Sequence, residues 1–213
     1  MRLAILTGVM IMALNGAQAS VIGAVEAGDH GQLSKALAAH EPLEARNAKG
    51  QTALLVAVWK NDLAAATLLI DAGADVNAFD QIKDSPYLVA GAQGRTDILR
   101  LILAHGADLK STNRFGGTAL IPAAEKGHLP AVEMLLAAGV DPNHVNDLGW
   151  TALLEAIILT DGSPVYQQIV ATLLAGGADP SIADFEGVTP LQHARARGFT
   201  KMVTLIEAAN AGK

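Results

Sequence analysis

Apolar and polar positions along this chain recur with a fixed period. The tripeptides Gly-Ala-Asp at 73–75 and 106–108 and Gly-Val-Asp at 139–141 follow one another at 33-residue intervals, and a Gly-Ala-Asp at 177–179 comes after 38. Such self-similarity predicts an array of stacked units instead of one globular domain. A second marker, a threonine or serine followed by an apolar run, keeps the same spacing and occurs at Thr52, Ser85, Thr118, Thr151 and Thr189.

Each unit is predicted to contain two short helices joined by a turn. The threonine or serine marker is a favourable helix N-cap, because its hydroxyl accepts an unsatisfied N–H of the first turn. Pro86 and Pro190 directly follow their markers, at a helical position where a missing N–H costs nothing. On the second helix, apolar pairs such as Leu135–Leu136 are predicted to form the core, and the tripeptide glycine ends the helix in a left-handed turn. Asn77 and Asn143 suit the tight turn that leads to the next unit.

The two ends of the array differ from the inner units. One helical pair cannot bury both of its faces, so stacking supplies the core and the terminal units must be modified. The last unit carries Glu207 where inner units carry leucine or isoleucine, and the first reads His40-Glu41-Pro42 in place of the tripeptide. The units are expected at 20–49, 50–82, 83–115, 116–148, 149–186 and 187–213, the fifth with a five-residue insertion at 161–165.

The repeated text resembles the ankyrin repeat. Segments such as Thr52-Ala53-Leu54-Leu55 and Thr189-Pro190-Leu191-Gln192 match the family's Thr-Pro-Leu-His motif, and the leucine pairs and Gly-Ala-Asp tripeptides extend the match over residues 20–210. The resemblance implies an all-α fold, an α-solenoid of about six ankyrin repeats, each a helix-turn-helix followed by a β-turn or hairpin loop. The family's histidine is structural, so its absence implies altered local hydrogen bonds; its place is taken by Leu55, Leu88, Ile121, Leu154 and Gln192.

The first 19 residues have the three-part pattern of a secretory signal peptide. Arg2 precedes an apolar run over 3–14, and Ala17-Gln18-Ala19 places small residues where a signal peptidase requires them. A transmembrane anchor and a buried N-terminal helix are the alternatives, but the run is shorter than the about 20 residues that a bilayer requires. We therefore expect cleavage between Ala19 and Ser20 and a mature protein that is periplasmic or secreted.

Composition and charge narrow the classes of function. The formal net charge is −6 and lysine and arginine are not clustered, so no attraction for nucleic acid or for membranes after signal cleavage is expected. The absence of cysteine excludes disulfides, thiolate nucleophiles and Cys-ligated zinc. None of the six histidines lies in a metal-binding motif, and the repeated Asp75, Asp108, Asp141 and Asp179 follow the structural period. We therefore expect no catalytic residues, no cofactor, no metal and no enzyme activity.

The ankyrin resemblance implies that another protein binds the concave surface, which is built by turn tips and one face of each first helix. Aromatic residues make up only 4% of the chain, yet both tryptophans fall in this set, and interface hot spots are enriched in such residues. The alternative, that these rings pack against neighbouring turns, stays open. The candidate partner-binding residues are Trp59, Lys60, Ile82, Gln93, Arg114, Phe115, Glu125, Lys126, Leu148, Trp150 and Ile158.

Several roles are compatible with an exported ankyrin array. We expect a monomeric protein-interaction module, and exported bacterial ankyrin proteins of this size include some that resemble accessory proteins of periplasmic catalases, which support peroxide resistance. Others resemble immunity proteins that neutralise a periplasmic toxin, and the residues do not choose between the two. An enzyme or ligand-binding protein that uses the concave groove is a further alternative, as is an effector released into a host cell.

Overall fold

A computed structural model of the chain describes residues 20–211. These residues form twelve α-helices and no strand, which confirms the predicted all-α fold; the predicted signal peptide lies outside the described residues. The helices are α1 (Val21–Ala27), α2 (His30–Ala38), α3 (Ala53–Lys60), α4 (Leu63–Asp71), α5 (Pro86–Ala92), α6 (Thr96–Ala104), α7 (Leu120–Glu125), α8 (Leu129–Ala137), α9 (Ala152–Ile158), α10 (Pro164–Ala175), α11 (Pro190–Ala196) and α12 (Thr200–Ala211).

The helices form two layers. The odd-numbered helices are the first of each repeat and contact one another in chain order, and the even-numbered helices do the same in the second layer. Each helix also packs against its partner within the repeat. Every repeat therefore obtains its core from its immediate neighbours, which is the arrangement of a solenoid and confirms the predicted α-solenoid.

The first helices approach closely because they carry small residues where they meet. In α5, a Cβ added to Gly91 would come within 2.9 Å of the Cβ of Ala119, so a larger residue has no room there. The fifth residue after every marker is a completely buried alanine, which keeps neighbouring repeats close; these residues are Ala57, Ala90, Ala123, Ala156 and Ala194.

The apolar pairs on the second helices are buried unequally. Successive helical residues point about 100° apart, so only one member of each pair can face the space between the layers. In the last repeat, Ile206 is buried, whereas Glu207 is exposed and pairs with Arg195 at 2.6 Å, as expected for a terminal unit. Complete burial is found at Leu69, Ile102, Leu135 and Leu173, while their neighbours Leu103, Leu136 and Leu174 are half-buried.

Four of the five predicted N-caps have the expected geometry. The hydroxyl of Thr52 accepts the N–H of Leu55 at 3.3 Å, and Ser85, Thr151 and Thr189 make the equivalent bond. Thr118 does not: α7 begins only at Leu120, and the Thr118 hydroxyl is buried with no hydrogen-bond partner among residues 20–211. The prediction of a cap at Thr118 is therefore wrong, because the N–H of Ile121 is bonded to the backbone carbonyl of Thr118 at 3.2 Å and not to its hydroxyl.

An asparagine or aspartate organises each turn tip between repeats. The side-chain oxygen of Asn146 accepts the N–H groups of Leu148 and Trp150, both at 3.0 Å, and so closes the turn on itself. Four further tips carry the same pair of bonds, accepted by Asn47, Asp80, Asn113 and Asp184.

Two other asparagines connect neighbouring repeats. Asn77 donates to the carbonyl of Gly106 and accepts the N–H of Asp108, each at 2.9 Å. Asn143 makes the same two bonds to the Gly-Ala-Asp turn of the next repeat, at 3.1 and 2.7 Å. The sequence predicted a role for these side chains in the turn that leads to the next unit, whereas the structure uses them to tie that unit to its neighbour.

The insertion in the fifth repeat lengthens a helix as well as a loop. Helix α10 has 12 residues, whereas α4, α6 and α8 have nine each. The connection from α9 to α10 runs over 159–163. Three of the inserted residues therefore extend the second helix, and the remainder widen the loop before it.

The buried and half-buried leucines of α8 allow a direct test of this packing. We expect Leu135→Ala to lower the free energy of unfolding by about 2–5 kcal/mol, because it removes a completely buried side chain between two helical layers. Leu136→Ala should cost clearly less, since the half-buried Leu136 lies at the flank of the helix. Urea titration of both variants checks the register; a larger loss for Leu136→Ala would contradict it.

Lys83 occupies a left-handed backbone position that glycine holds at other tips. Its φ is +62°, where an L side chain costs about 1–2 kcal/mol relative to glycine. We expect Lys83→Gly to stabilise the protein by about 0.5–1 kcal/mol in urea titration, once the greater freedom of glycine in the unfolded chain is included.

The matched control for Lys83→Gly is Gly187→Ala. Gly187 has a φ of +77° and open space around its Cα, so the added methyl group tests backbone conformation alone. We expect a loss of about 1 kcal/mol. A destabilised Lys83→Gly together with a neutral Gly187→Ala would show that conformational strain does not operate at these tips.

Candidate partner-binding groove

The turn tips and the first helices enclose a groove along one side of the array. We call this the concave groove; it contains two neighbouring cavities. The central cavity, of about 290 Å³, lies against α5, α7 and α9, and the N-terminal cavity, of about 530 Å³, lies against α3. Trp59 and Asp84 line both cavities and separate them. The groove therefore runs across at least four repeats.

Apolar side chains are exposed along this groove. Ile82, Phe115 and Leu148 occupy the same position in three successive tips, three residues before the marker, and more than half of the surface of each is accessible. On the helical side, Trp59 and Leu159 are also exposed. Exposed apolar groups aligned in this way are typical of an interaction surface.

The structure brings most of the predicted partner-binding residues together. All except Trp150 and Ile158 line one of the two cavities. Trp150 and Ile158 are both half-buried. Leu159, the residue after Ile158, reaches the central cavity in its place. Helical rotation explains the difference at Ile158, because one residue step turns a side chain by about 100°.

Two basic residues of the central cavity face Asp84. Arg114 forms an ion pair with Asp84 at 3.4 Å, and its guanidinium lies 4.8 Å from the centre of the Phe115 ring. Burial and the charge of Asp80 raise the pKa of Asp84, and Arg114 and Lys126 act in the opposite direction without cancelling the rise. The positive charge of this cavity is thus concentrated near the tip that precedes α5.

Glu155 lies in the central cavity and has a strongly altered acidity. It is only 5% exposed, and its Oε1 accepts a hydrogen bond from Nδ2 of Asn146 at 2.8 Å. Burial, with a further contribution from the charge of Glu125, raises the pKa of Glu155 to about 7 although the bond from Asn146 opposes the rise. A carboxyl group in this position is therefore partly protonated at neutral pH.

Glu155 is not among the functional residues that the sequence pattern predicted. It is the fourth residue after its marker, a position that holds Val56, Val89 and Pro122 in the three preceding repeats. A carboxylate at a position that is apolar in the three preceding repeats was the signal available in the sequence. Its burial and its proximity to Glu125 depend on the packing of α9 against α7 and could not be obtained from the repeat pattern.

Elsewhere, histidines and carboxylates are paired in ways that stabilise the repeats. His30 bonds to Asp62 at 2.8 Å, and His193 bonds to Asp184 at 2.7 Å. The Asp62 pair connects the first repeat to the second, and the Asp184 pair fixes a tip against α11. Among residues 20–211, no three His, Asp or Glu side chains are grouped closely enough to hold a metal ion, and no helix there is long and apolar enough to span a membrane.

The raised pKa of Glu155 predicts that the free energy of unfolding depends on pH. Because its pKa in the folded protein, about 7, lies above the ordinary value of 4.5, the folded state holds the proton more tightly than the unfolded state. Stability should therefore fall as pH rises from about 4.5 to about 7. Glu155→Gln should remove this dependence and be more stable than the wild type at pH 8 by roughly 3 kcal/mol, at 1.36 kcal/mol per pKa unit.

Chemical unfolding at a series of pH values measures this effect. The control is Glu133→Gln, which removes the same charge from an exposed position on α8 outside the groove. We expect the Glu133→Gln and wild-type stability curves to run parallel. A Glu155→Gln curve that also runs parallel to the wild type would contradict the raised pKa.

Comparisons with known proteins match this architecture. The family model for ankyrin repeats in three copies matches residues 87–184, and the model for the single ankyrin repeat matches residues 49–81. The chain is 40% identical over 201 residues to the ankyrin repeat protein YahD of Escherichia coli (strain K12), covering 94% of this chain and 100% of that protein.

Two crystal structures are also closely similar. An ankyrin repeat domain of Acinetobacter baumannii AYE, ABAYE2397, has 57% sequence identity and a TM-score of 0.87. The ankyrin repeat protein EF0377 has 42% identity and a TM-score of 0.86; each alignment covers 89% of this chain and 97% of the other. The repeat period, the two-layered solenoid and these relationships together show that the chain belongs to the ankyrin repeat family.

Proposed function

We propose that this protein is an exported interaction module that binds another protein in its concave groove and acts in the periplasm. Ankyrin repeats generally bind other proteins, and a ridged groove is the surface that stacked repeats make available. The signal-peptide pattern of residues 1–19 supports export. A protein of this kind acts through its surface, without a reaction of its own.

The row of exposed apolar tips carries this proposal. Ile82, Phe115 and Leu148 project from successive repeats in a chain with only 4% aromatic residues. Leaving such side chains in water is unfavourable, by about 25 cal/mol for each Å² of apolar surface, and binding a partner removes that surface from water. Scattered exposed apolar residues are ordinary, but a row with the period of the repeat is typical of a binding surface.

The spacing of the tips favours an extended segment of the partner. Packed helices lie about 8–10 Å apart, so successive tips are separated by a similar distance. A chain in the extended polyproline II conformation advances about 3.1 Å per residue with three residues per turn, so every third residue lies on the same side and meets the next tip. A segment with apolar residues at that interval therefore fits the groove.

We propose, as the specific role, that the protein supports a periplasmic enzyme such as catalase in peroxide resistance. Two features support it: the resemblance to exported ankyrin proteins that accompany catalases, and the export signal in residues 1–19. Affinity purification of the tagged protein from the periplasm of its own host, followed by mass spectrometry, identifies the partner. Recovery of an antibacterial toxin in place of catalase would indicate the immunity function.

The groove proposal predicts which apolar substitutions matter. We expect Leu148→Ala and Phe115→Ala each to weaken capture of the partner by about 10-fold or more, because truncation of an interface hot spot costs about 2 kcal/mol or more. Leu63→Ala is the matched control: Leu63 is 41% exposed at the start of α4, in the layer that does not line the groove. Quantitative recovery of the identified partner from the three variants measures the effect.

The three variants distinguish a loss of binding in the concave groove from a general effect of removing an exposed apolar side chain. Equal loss in Leu148→Ala and Leu63→Ala would indicate general instability or nonspecific adhesion. Normal recovery with both Leu148→Ala and Phe115→Ala would contradict the groove as the binding surface. Urea titration of each variant confirms that it is folded.

A further inference from the structure

The central cavity contains a carboxylate oxygen without a hydrogen-bond donor. Glu155 is 95% buried, and its bond from Asn146 is made through Oε1; no bond among residues 20–211 is made through Oε2. The residue nevertheless lines the central cavity beside Glu125. Oε2 is not enclosed by the surrounding protein, so it is accessible from the cavity to a donor that enters the groove.

The basic residues of the cavity do not neutralise this carboxylate. Arg114 is paired with Asp84, and Lys126 acts electrostatically on the same aspartate. The charge that acts on Glu155 is that of Glu125, which is negative. One end of the central cavity therefore presents two carboxyl groups whose repulsion the protein leaves uncompensated.

We propose that Glu155 and Glu125 bind a cationic side chain, a lysine or an arginine, from an extended segment of the partner protein. This inference rests on the proposed function, because it specifies the segment that the concave groove binds. The cation supplies donors to Oε2 of Glu155 and offsets the repulsion between the two carboxyl groups. Phe115, Leu148 and Leu159 contact apolar residues on either side of the cation in the segment.

Such binding depends on pH. Burial and the charge of Glu125 raise the pKa of Glu155 to about 7, and the ionised form is the one that binds a cation. The apparent affinity is reduced by the fraction of protein in the neutral form, so it should be about tenfold weaker at pH 6 than at pH 8.

Other ionisable groups lie on the helices that pack around Glu155, and the pH experiment needs control variants for them. Helix α9 packs against α7, α10 and α11. Helix α11 carries His193, which is bonded to Asp184 at 2.7 Å, and histidine is the side-chain type most often responsible for pH dependence near neutrality. The remaining ionisable groups on these elements or at their ends are Glu125, Lys126, Tyr166, Arg195 and Arg197.

A peptide library tests the proposal with the purified protein. Phage-displayed random dodecapeptides are selected at pH 8, and the enriched peptides are synthesised and titrated. We expect them to share a lysine or arginine next to apolar residues. Replacement of that residue by norleucine, or Glu155→Gln in the protein, should weaken binding by about tenfold or more, as for loss of one member of a buried charge pair. Glu133→Gln should leave it unchanged.

The pH profile provides the second measurement. Between pH 8 and pH 6 the affinity of the wild type should fall about tenfold, whereas that of Glu155→Gln should stay constant. His193→Gln should retain the wild-type profile. A profile that is lost in His193→Gln and kept in Glu155→Gln would overturn the assignment to Glu155.

The remaining outcomes distinguish this inference from the function on which it rests. Peptides that require Leu148 but carry no basic residue, and that bind Glu155→Gln as tightly as the wild type, would overturn the cation site and leave the groove function intact. A selection that enriches no peptide sensitive to Leu148→Ala or Glu155→Gln would overturn both.

Discussion

The burial of each helical pair against its neighbours is the interaction on which the rest of this structure depends. A pair such as α7 and α8 has apolar residues on both sides, and no single partner covers both. Completely buried leucines between the layers and buried alanines between first helices remove that surface from water. Because only adjacent repeats take part, the same contact extends through six repeats without a central core.

Stacking also determines where function can lie. Once the repeats are side by side, their tips stand in a row; each tip is closed by one side chain, from Asn47, Asp80, Asn113, Asn146 or Asp184. Neighbouring tips are also joined through the backbone, where the N–H of Asp147 donates to the carbonyl of Phe115 at 3.0 Å. These bonds hold side chains such as Phe115 and Leu148 away from the core. A surface made in this way is long and ridged, which suits an extended partner better than a small molecule.

The groove combines exposed apolar groups with uneven charge. Arg114 and Lys126 act on Asp84, while the charge that acts on Glu155 is that of another carboxylate, Glu125. Burial of Glu155 without a cation lowers stability above neutral pH, so its place in the groove costs free energy that a basic partner residue can restore. Affinity, specificity and sensitivity to pH would then all depend on the side chain of Glu155.

The sequence by itself determined the repeat period, the family, the two helices of each repeat, most N-caps and most of the groove, because each follows from local propensity or from a pattern that recurs every 33 residues. The tertiary structure alone decided the late start of α7 after Thr118, the bonds of Asn77 to the next repeat and the exposure of Leu159 in preference to Ile158. It also decided the acidity of Glu155. These features depend on distances between residues of different repeats, and such distances exist only after the repeats have stacked.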